Sequence, residues 1–148
     1  MTSALITGSF VALITPMNAD GTIDFEGFRT LIQFHEENGT SAILFMGSTG
    51  EVSMLSAEER HAIVRETMKM RSGKMHFYYG CTGTTTAATI DYVRQAGAEG
   101  ADGAIIAAPA YICASNADIV QFCLDVADAS PIPLGFYNNP PRVGTDLK

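Results

Sequence analysis

The sequence predicts an α/β protein built on a parallel sheet. Short apolar runs alternate with segments whose apolar residues recur at helical spacing. The runs end about every 30 residues, at Thr15, Gly47, Gly80, Pro109 and Tyr137. An interval of that length holds one strand and one helix, and such units join parallel strands by right-handed crossovers. All five strands should therefore end at one edge of the sheet, where α/β proteins carry their binding or active sites.

The composition favours one domain with strands covered on both faces by helices. Hydrophobic residues make up 47% of the chain and charged residues 17%, which suits buried strands better than a half-solvated sheet. The 148 residues contain no linker and no low-complexity stretch. We therefore predict a single domain over residues 1–148.

The charge balance and the cysteines exclude several classes of protein. Nine lysines and arginines stand against sixteen aspartates and glutamates, a net charge of −7 that argues against nucleic acid or a membrane surface as partner. There is no membrane-spanning apolar run and no signal-peptide pattern, so a cytoplasmic protein is expected. Cys81, Cys113 and Cys123 are odd in number and lack CxxC spacing, so no disulfide framework, metal site or cofactor is expected.

The first two strands and the helix between them follow from local signals. An apolar run predicts a strand over residues 9–14, stopped by a Thr-Pro pair. Asp24 is expected to cap a helix with apolar residues at the 3.6-residue period, and an Asn-Gly pair ends it. The second strand is predicted over residues 41–46.

The middle of the chain repeats the pattern twice. Ser56 and Glu59 form the S-x-x-E capping box that opens the second helix. The third strand is predicted over residues 75–79, and the third helix begins among the threonines at 84–86. A fourth strand is predicted over residues 103–108.

The last helix and strand complete a set of five strands and four helices. Ser115 or Asn116 is expected to cap the fourth helix. The fifth strand runs from Pro131 to Tyr137, and the two prolines after Asn139 predict that a fixed loop follows.

Polar groups collect at the predicted strand ends. Ser48 and Thr49 lie between two glycines, and the backbone N–H groups of such a turn suit a carboxylate. The turn lacks the Gly-Lys-Ser/Thr of a P-loop, and no histidine lies at a strand end to activate Ser48 as a nucleophile. Packing alone would also account for such a turn, and for a half-buried tyrosine at position 137.

Several motifs in order give the pattern a specific meaning. They are Gly47-Ser-Thr-Gly-Glu51, Leu55-Ser-x-x-Glu-Arg60, Pro109-x-Tyr111 and Tyr137-Asn-x-Pro-x-Arg-x-Gly144. Together they resemble the dihydrodipicolinate synthase / N-acetylneuraminate lyase family over essentially the whole chain. The resemblance implies the N-terminal part of a TIM (β/α)₈ barrel and a class I aldolase, in which a lysine forms an imine with pyruvate and the enamine adds to, or leaves, an aldehyde.

The resemblance also implies roles for five residues. Tyr137 would transfer protons at the imine, with Thr49 as its hydroxyl relay and Tyr111 as a third member lent across a dimer interface. The amides of Ser48 and Thr49 would hold the pyruvate carboxylate. Arg142 would grip the carboxylate of the aldehyde, a task suited to a planar, bidentate cation. The expected partners are thus pyruvate, an aldehyde and further copies of the chain in a dimer or tetramer.

Two departures from the family pattern leave the aldehyde and the reaction direction open. Synthases usually carry threonine where this chain has Ser48, and Ser-Thr is more typical of the lyase branch. Ala110 replaces an aromatic residue that often precedes the Tyr111 position.

The imine-forming lysine of the family lies on the strand after the one ending at Tyr137. None of the three lysines, Lys69, Lys74 and Lys148, fits that position. In addition, a complete (β/α)₈ barrel needs about 250 residues, more than the 148 of this chain. We therefore expect the chain to be part of a longer protein, with the lysine beyond Lys148. Two alternatives are a catalytically inert half-barrel and a flavodoxin-like doubly wound domain that binds a cofactor.

Overall fold

The computed structural model describes residues 7–109 and 112–147, which form one sheet of parallel strands flanked by helices. The strands are β1 (Phe10–Ala12), β2 (Ala42–Phe45), β3 (His76–Gly80), β4 (Gly103–Ala107) and β5 (Leu134–Tyr137). They lie side by side in sequence order, and every neighbouring pair is parallel. The five predicted parallel strands are confirmed. A flavodoxin-like domain is excluded because its strand order, 2-1-3-4-5, is not consecutive.

Four long helices connect the strands, and two short helical segments were not predicted. The long helices are α1 (Phe25–Glu37), α2 (Ala57–Met70), α3 (Thr86–Ala98) and α4 (Asn116–Ala129). A 3₁₀ turn spans Val52–Met54, and a one-turn helix, α5, spans Pro140–Val143 where a loop was expected. Proline is favoured in the first helical turn because its fixed φ suits the helix and the missing N–H is not needed there. Gly144, at φ 76°, then ends α5.

The predicted helix starts are confirmed by their side-chain caps. Asp24, Thr85 and Ser115 each accept a hydrogen bond from a backbone N–H in the first turn of their helix. Ser115, rather than Asn116, caps α4. The box before α2 is complete, because Ser56 accepts from the Glu59 N–H while the Glu59 carboxylate accepts from the Ser56 N–H. Each cap of this kind stabilises a helix by about 1 kcal/mol.

The main core lies between the helices and one face of the sheet. Phe45, at the centre, packs against Phe28, Phe77 and Tyr79 at ring-centroid distances of 5.0–5.9 Å. The Tyr79 hydroxyl is buried and pairs with the Thr67 hydroxyl at 2.8 Å. Burial raises the pKa of Tyr79 because the phenolate would be desolvated, so this residue stays neutral.

The opposite face of the sheet is not covered by the described helices, contrary to the expectation of helices on both faces. Helices α1 to α4 contact one another in sequence order along the same face. On the other face Phe10, Ile14 and Tyr137 are each about half exposed. The rings of Phe10 and Tyr78 meet there at 5.4 Å, so large apolar side chains line this face as they line the interior of a barrel.

A close contact between two strand ends controls how the chain leaves β2. Met46 has a φ of 55°, a left-handed conformation that is unfavourable for residues other than glycine. Its carbonyl oxygen occupies the position that a Cβ on Gly80 would take. The chain can therefore turn at Met46 only because residue 80 has no side chain.

We predict that Gly80→Ala lowers the free energy of unfolding by about 1–3 kcal/mol, because the added methyl group would collide with backbone that cannot move freely. Gly73→Ala is the matched control, since its methyl group would meet only side-chain atoms of Glu36, the nearest at 3.2 Å, and no backbone. It should change stability by less than about 0.5 kcal/mol. Urea denaturation followed by circular dichroism measures both. Equal stabilities for the two variants would contradict the contact.

Candidate active site at the carboxyl edge of the sheet

The turn after β2 presents two exposed residues with free backbone donors. Ser48 and Thr49 lie at its tip, which is closed by hydrogen bonds from the Gly50 N–H to the Gly47 carbonyl (3.0 Å) and from the Glu51 N–H to the Ser48 carbonyl (3.2 Å). Within residues 7–109 and 112–147, neither the amides nor the hydroxyls of Ser48 and Thr49 have a hydrogen-bond partner. The turn therefore offers adjacent N–H and O–H donors for a small anion.

The turn is held from below by a buried threonine. The Thr15 hydroxyl donates to the Gly50 carbonyl at 2.7 Å, and Thr15 is 8% exposed. A side chain on Gly50 would approach the Leu13 carbonyl to 3.1 Å, so this glycine allows the turn to sit against β1. Glu51 then takes a left-handed φ of 53°. Thr15 thus supports the site rather than facing a ligand.

Thr82 plays a similar supporting part at the next strand end. Its hydroxyl accepts a hydrogen bond from the Ala107 N–H at 2.8 Å, which joins the end of β3 to the end of β4. Ala107 is in turn the register partner of Tyr137 on β5. The hydroxyl groups of both threonines that end strands are therefore used within the fold.

Tyr137 ends β5 and is 51% exposed. The side-chain amide of Asn139 donates to its phenolic oxygen at 2.7 Å. Sequence reasoning assigned no role to Asn139. The only signal in the sequence that could have suggested this contact is the position of Asn139, two residues after the end of the strand and directly before a proline.

Arg142 lies on α5 with an exposed side chain, and its guanidinium makes no ion pair with any described residue. The segment that carries it is fixed at both ends. Asn138 bonds to the Asp146 carboxylate at 3.0 Å, and the Thr145 hydroxyl donates to the Ala114 carbonyl at 2.8 Å. Arg142 is thus a free cation on an anchored turn at the same edge as Tyr137.

The structure brings four of the five predicted site residues to one edge of the sheet. Ser48 and Thr49 follow β2, while Tyr137 and Arg142 follow β5, with β3 and β4 between them. The fifth residue, Tyr111, lies outside the described residues. In a closed barrel, the loops at this edge surround a common centre.

The described lysines lie elsewhere. Lys69, near the end of α2, is ion-paired with Glu66 at 3.0 Å. Lys74 precedes β3 and lines a polar groove of about 450 Å³ at the opposite edge, together with Glu36, Thr40 and His76. In α/β barrels that edge serves stability rather than chemistry.

Sequence reasoning quoted Arg60 in a motif but did not predict that it is buried behind the turn. Arg60 is 8% exposed and lies on the inward face of α2, one turn before Ile63 and Val64. The spacing of these three residues gives the signal, because positions i, i+3 and i+4 of a helix share one face. Within the described residues there is no cluster of potential metal ligands, and no helix is long and apolar enough to cross a membrane.

Comparison with known proteins identifies a consistent set of relatives. The profile of the Dihydrodipicolinate synthetase family matches residues 5–148. The 4-hydroxy-tetrahydrodipicolinate synthase of Alcanivorax borkumensis is 38% identical over 143 residues, covering 97% of this chain and 49% of that protein. The corresponding protein of Coxiella burnetii is 36% identical with coverages of 97% and 50%. The chain thus spans about half the length of the curated relatives it matches.

Solved structures give the same result. Dihydrodipicolinate synthase from Acinetobacter baumannii, complexed with pyruvate, superposes with a TM-score of 0.93 at 34% identity, covering 97% of this chain and 50% of that one. A prophage protein of the dihydrodipicolinic acid synthase family from E. coli K12, also in complex with pyruvate, gives 0.93 at 35% identity, with coverages of 98% and 49%. The predicted fold class, the N-terminal portion of a (β/α)₈ barrel, is confirmed.

The three cysteines behind and beside this edge should differ sharply in reactivity. Burial raises the pKa of the Cys81 thiol to about 12, although the nearby Arg60 charge opposes the shift, and burial also raises the pKa of Cys123. Cys113 is exposed. Because the thiolate is the reactive form, iodoacetamide at pH 8 should label Cys113 first, Cys123 more slowly and Cys81 only after denaturation. Peptide mass spectrometry measures the order, and rapid native labelling of Cys81 would contradict it.

Proposed function

We propose that the protein is a pyruvate-dependent lyase of the class I aldolase type, since the chain belongs to the dihydrodipicolinate synthetase family. The enzyme would either add pyruvate to an aldehyde or release pyruvate from the product of that addition. Its reaction would most resemble that of dihydrodipicolinate synthase. The observation that carries the proposal is the pair of free amides at Ser48 and Thr49 on the same edge as Tyr137. Relatives named as synthases, and neighbours solved with pyruvate, support the same substrate.

In this proposal the Ser48–Thr49 turn binds the pyruvate carboxylate. Oriented N–H dipoles suit an anion, and they act more strongly once substrate has displaced water. A lysine amine attacks the keto carbon, and loss of water from the carbinolamine gives the imine. Removal of a methyl proton then yields the enamine, whose carbon attacks the aldehyde. We place this lysine on the strand after β5, as the family resemblance implies.

Tyr137 would move the protons that these steps require. Hydrogen-bond donors to the phenolic oxygen stabilise the phenolate that these transfers form transiently. The Asn139 amide is such a donor at 2.7 Å. Thr49 would relay the proton, and Tyr111 of a neighbouring subunit would complete the group in a homodimer or tetramer.

Arg142 would select an aldehyde that carries a carboxylate. It is an exposed guanidinium without an internal partner among the described residues, on a turn anchored at both ends. Arginine binds carboxylates through two parallel N–H···O bonds, which fixes orientation as well as affinity. This assignment favours a synthase-like substrate over a sugar.

The second candidate is a half-barrel without catalytic activity of its own. It is favoured by one observation, that Lys69 and Lys74 both lie away from the carboxyl edge. A protein of this kind would bind pyruvate weakly at the turn and form no imine.

Borohydride trapping separates the two candidates. The complete protein that contains this chain should gain a stable pyruvate adduct, located by peptide mass spectrometry on a lysine after residue 148. A preparation limited to residues 1–148 should gain none. No adduct in the complete protein would exclude the aldolase, and an adduct within residues 1–148 would exclude the proposed lysine position.

Tyr137→Phe should lower kcat/KM by about 10²–10⁴-fold, the usual contribution of a positioned acid–base group, because only the hydroxyl is removed. The exposed ring keeps its packing, so the melting temperature should stay within a few degrees. Steady-state kinetics and thermal unfolding measure the two effects. Unchanged turnover would reject the assigned role.

The neighbouring hydroxyls provide a matched pair of controls. Thr49→Val removes the proposed relay and should lower kcat, whereas Ser48→Ala keeps both turn amides and should mainly affect pyruvate KM. If instead Ser48→Ala lowers kcat and Thr49→Val mainly affects pyruvate KM, Ser48 is the proton relay, and the role proposed for Tyr137 is unchanged.

Arg142→Met should raise the KM for a carboxylate-bearing aldehyde by about 10- to 100-fold, the worth of a charged hydrogen-bonded contact. The KM for pyruvate should not change, because the proposed pyruvate contacts are on the other loop. Arg142→Lys should recover only part of the loss, since lysine cannot form the bidentate pair. If the parent and the Arg142→Met variant each show the same KM for acidic and for neutral aldehydes, Arg142 does not bind the aldehyde carboxylate and the assignment is refuted.

A further inference from the structure

Arg60 is a buried cation without a counter-charge among the described residues. It is 8% exposed, and no described carboxylate lies within ion-pair distance of it. Its guanidinium carbon lies 4.7 Å from the centre of the Tyr92 ring, and its Nε has no hydrogen-bond partner in the part of the chain described. Burying a charge in this way is unfavourable unless its hydrogen bonds bring a compensating gain.

The two hydrogen bonds that Arg60 makes both go to loops at the carboxyl edge. One terminal nitrogen donates to the Val52 carbonyl at 3.0 Å, and the other donates to the Thr82 carbonyl at 3.0 Å. Val52 begins the 3₁₀ turn directly after the Gly47–Glu51 segment, while Thr82 follows β3. The guanidinium therefore fixes the distance between the loops of two adjacent strands.

These bonds belong to a continuous path from the anion-binding turn to the tyrosine. Thr82 accepts from the Ala107 N–H at 2.8 Å, and Ala107 pairs in register with Tyr137. The path thus runs from Val52 through Arg60, Thr82 and Ala107 to Tyr137. Each step is a hydrogen bond or a strand pairing.

The turn needs such support because its backbone is unfavourable by itself. Met46 and Glu51, which flank it, both have left-handed φ angles near 55° although neither is glycine. Such conformations persist when the surroundings fix them, and they concentrate at functional sites. Thr15 holds Gly50 on one side of the turn, and Arg60 holds Val52 on the other.

We infer that Arg60 is a positioning residue, which sets the Ser48–Thr49 turn at its working distance from Tyr137 through the Val52 and Thr82 carbonyls. The inference rests on the proposed function, since the working distance is the one that places bound pyruvate beside the tyrosine. Arg60 does not touch the substrate. Its planar fork reaches two carbonyls at once, which lysine cannot do.

The test uses the complete protein and three variants. Arg60→Gln removes the charge, Arg60→Lys keeps the charge but reaches one carbonyl, and Arg65→Met is the control on the same helix. Arg65 is half exposed and contacts Glu66 at 2.9 Å, away from the edge. Pyruvate KM, kcat and the rate of borohydride trapping are measured beside the melting temperature.

Arg60→Gln should raise pyruvate KM and slow trapping by about tenfold or more, because small displacements from the reactive geometry cost as much as 10²-fold. Arg60→Lys should melt within a few degrees of the parent yet still show impaired trapping. Arg65→Met should match the parent. Lower melting temperatures with unchanged KM and trapping rate would overturn the inference and leave Arg60 a structural residue.

A second pair keeps the test decisive if Arg60→Gln fails to fold. Thr82→Ser retains the hydroxyl that accepts from Ala107, and Thr82→Val removes it. The path predicts slowed trapping for the valine variant alone, and equal rates for both would overturn it. If the parent itself forms no adduct, the proposed function fails. If the parent reacts and these variants react equally well, only the positioning role fails.

Discussion

The contact between the Met46 carbonyl and Gly80 is the constraint on which the carboxyl edge depends. It lets the chain leave β2 with a left-handed turn, so that Ser48 and Thr49 project from the edge with their amides free. A side chain at position 80 would push the Met46 peptide away and move the whole loop. The unfavourable backbone of the turn is tolerated because the buried hydroxyl of Thr15 and the guanidinium of Arg60 hold its two ends.

The elements of the fold were predictable because their signals are local. Asp24, Ser56 and Ser115 cap their helices through backbone N–H groups three residues away, and such short-range hydrogen bonds leave a recognisable pattern in the sequence. The parallel direction of the strands followed from the regular βα spacing, whereas their consecutive order was implied only by the family resemblance. Helix α5 was missed because the two prolines that stop a strand also start a helix well, and the sequence does not say which effect prevails.

The site was predictable only in part, because its support is non-local. The position of Ser48, Thr49, Tyr137 and Arg142 at one edge of the sheet could be predicted, while the roles that the resemblance implies for them stay predictions. Arg60 donates its two hydrogen bonds to backbone carbonyls 8 and 22 residues away. Every residue has a backbone carbonyl, so the residue types in the sequence do not indicate which two carbonyls the arginine will contact. The same holds for Thr82, whose hydroxyl accepts a hydrogen bond from a backbone N–H on β4, 25 residues away.

The half-exposed inner face of the sheet connects the fold to the chemistry. Phe10, Ile14 and Tyr137 line that face, and a parallel sheet is normally buried on both sides. Covering it would remove water from around Tyr137 and would strengthen the hydrogen bond from Asn139 to the phenolic oxygen, since electrostatic interactions grow as the local dielectric falls. Desolvation by itself raises the pKa of a tyrosine, as the buried Tyr79 illustrates. Under the proposed function, a tyrosine that loses its proton in such a place would depend on donors such as Asn139. The fixed loop after β5 would then matter as much as the turn after β2.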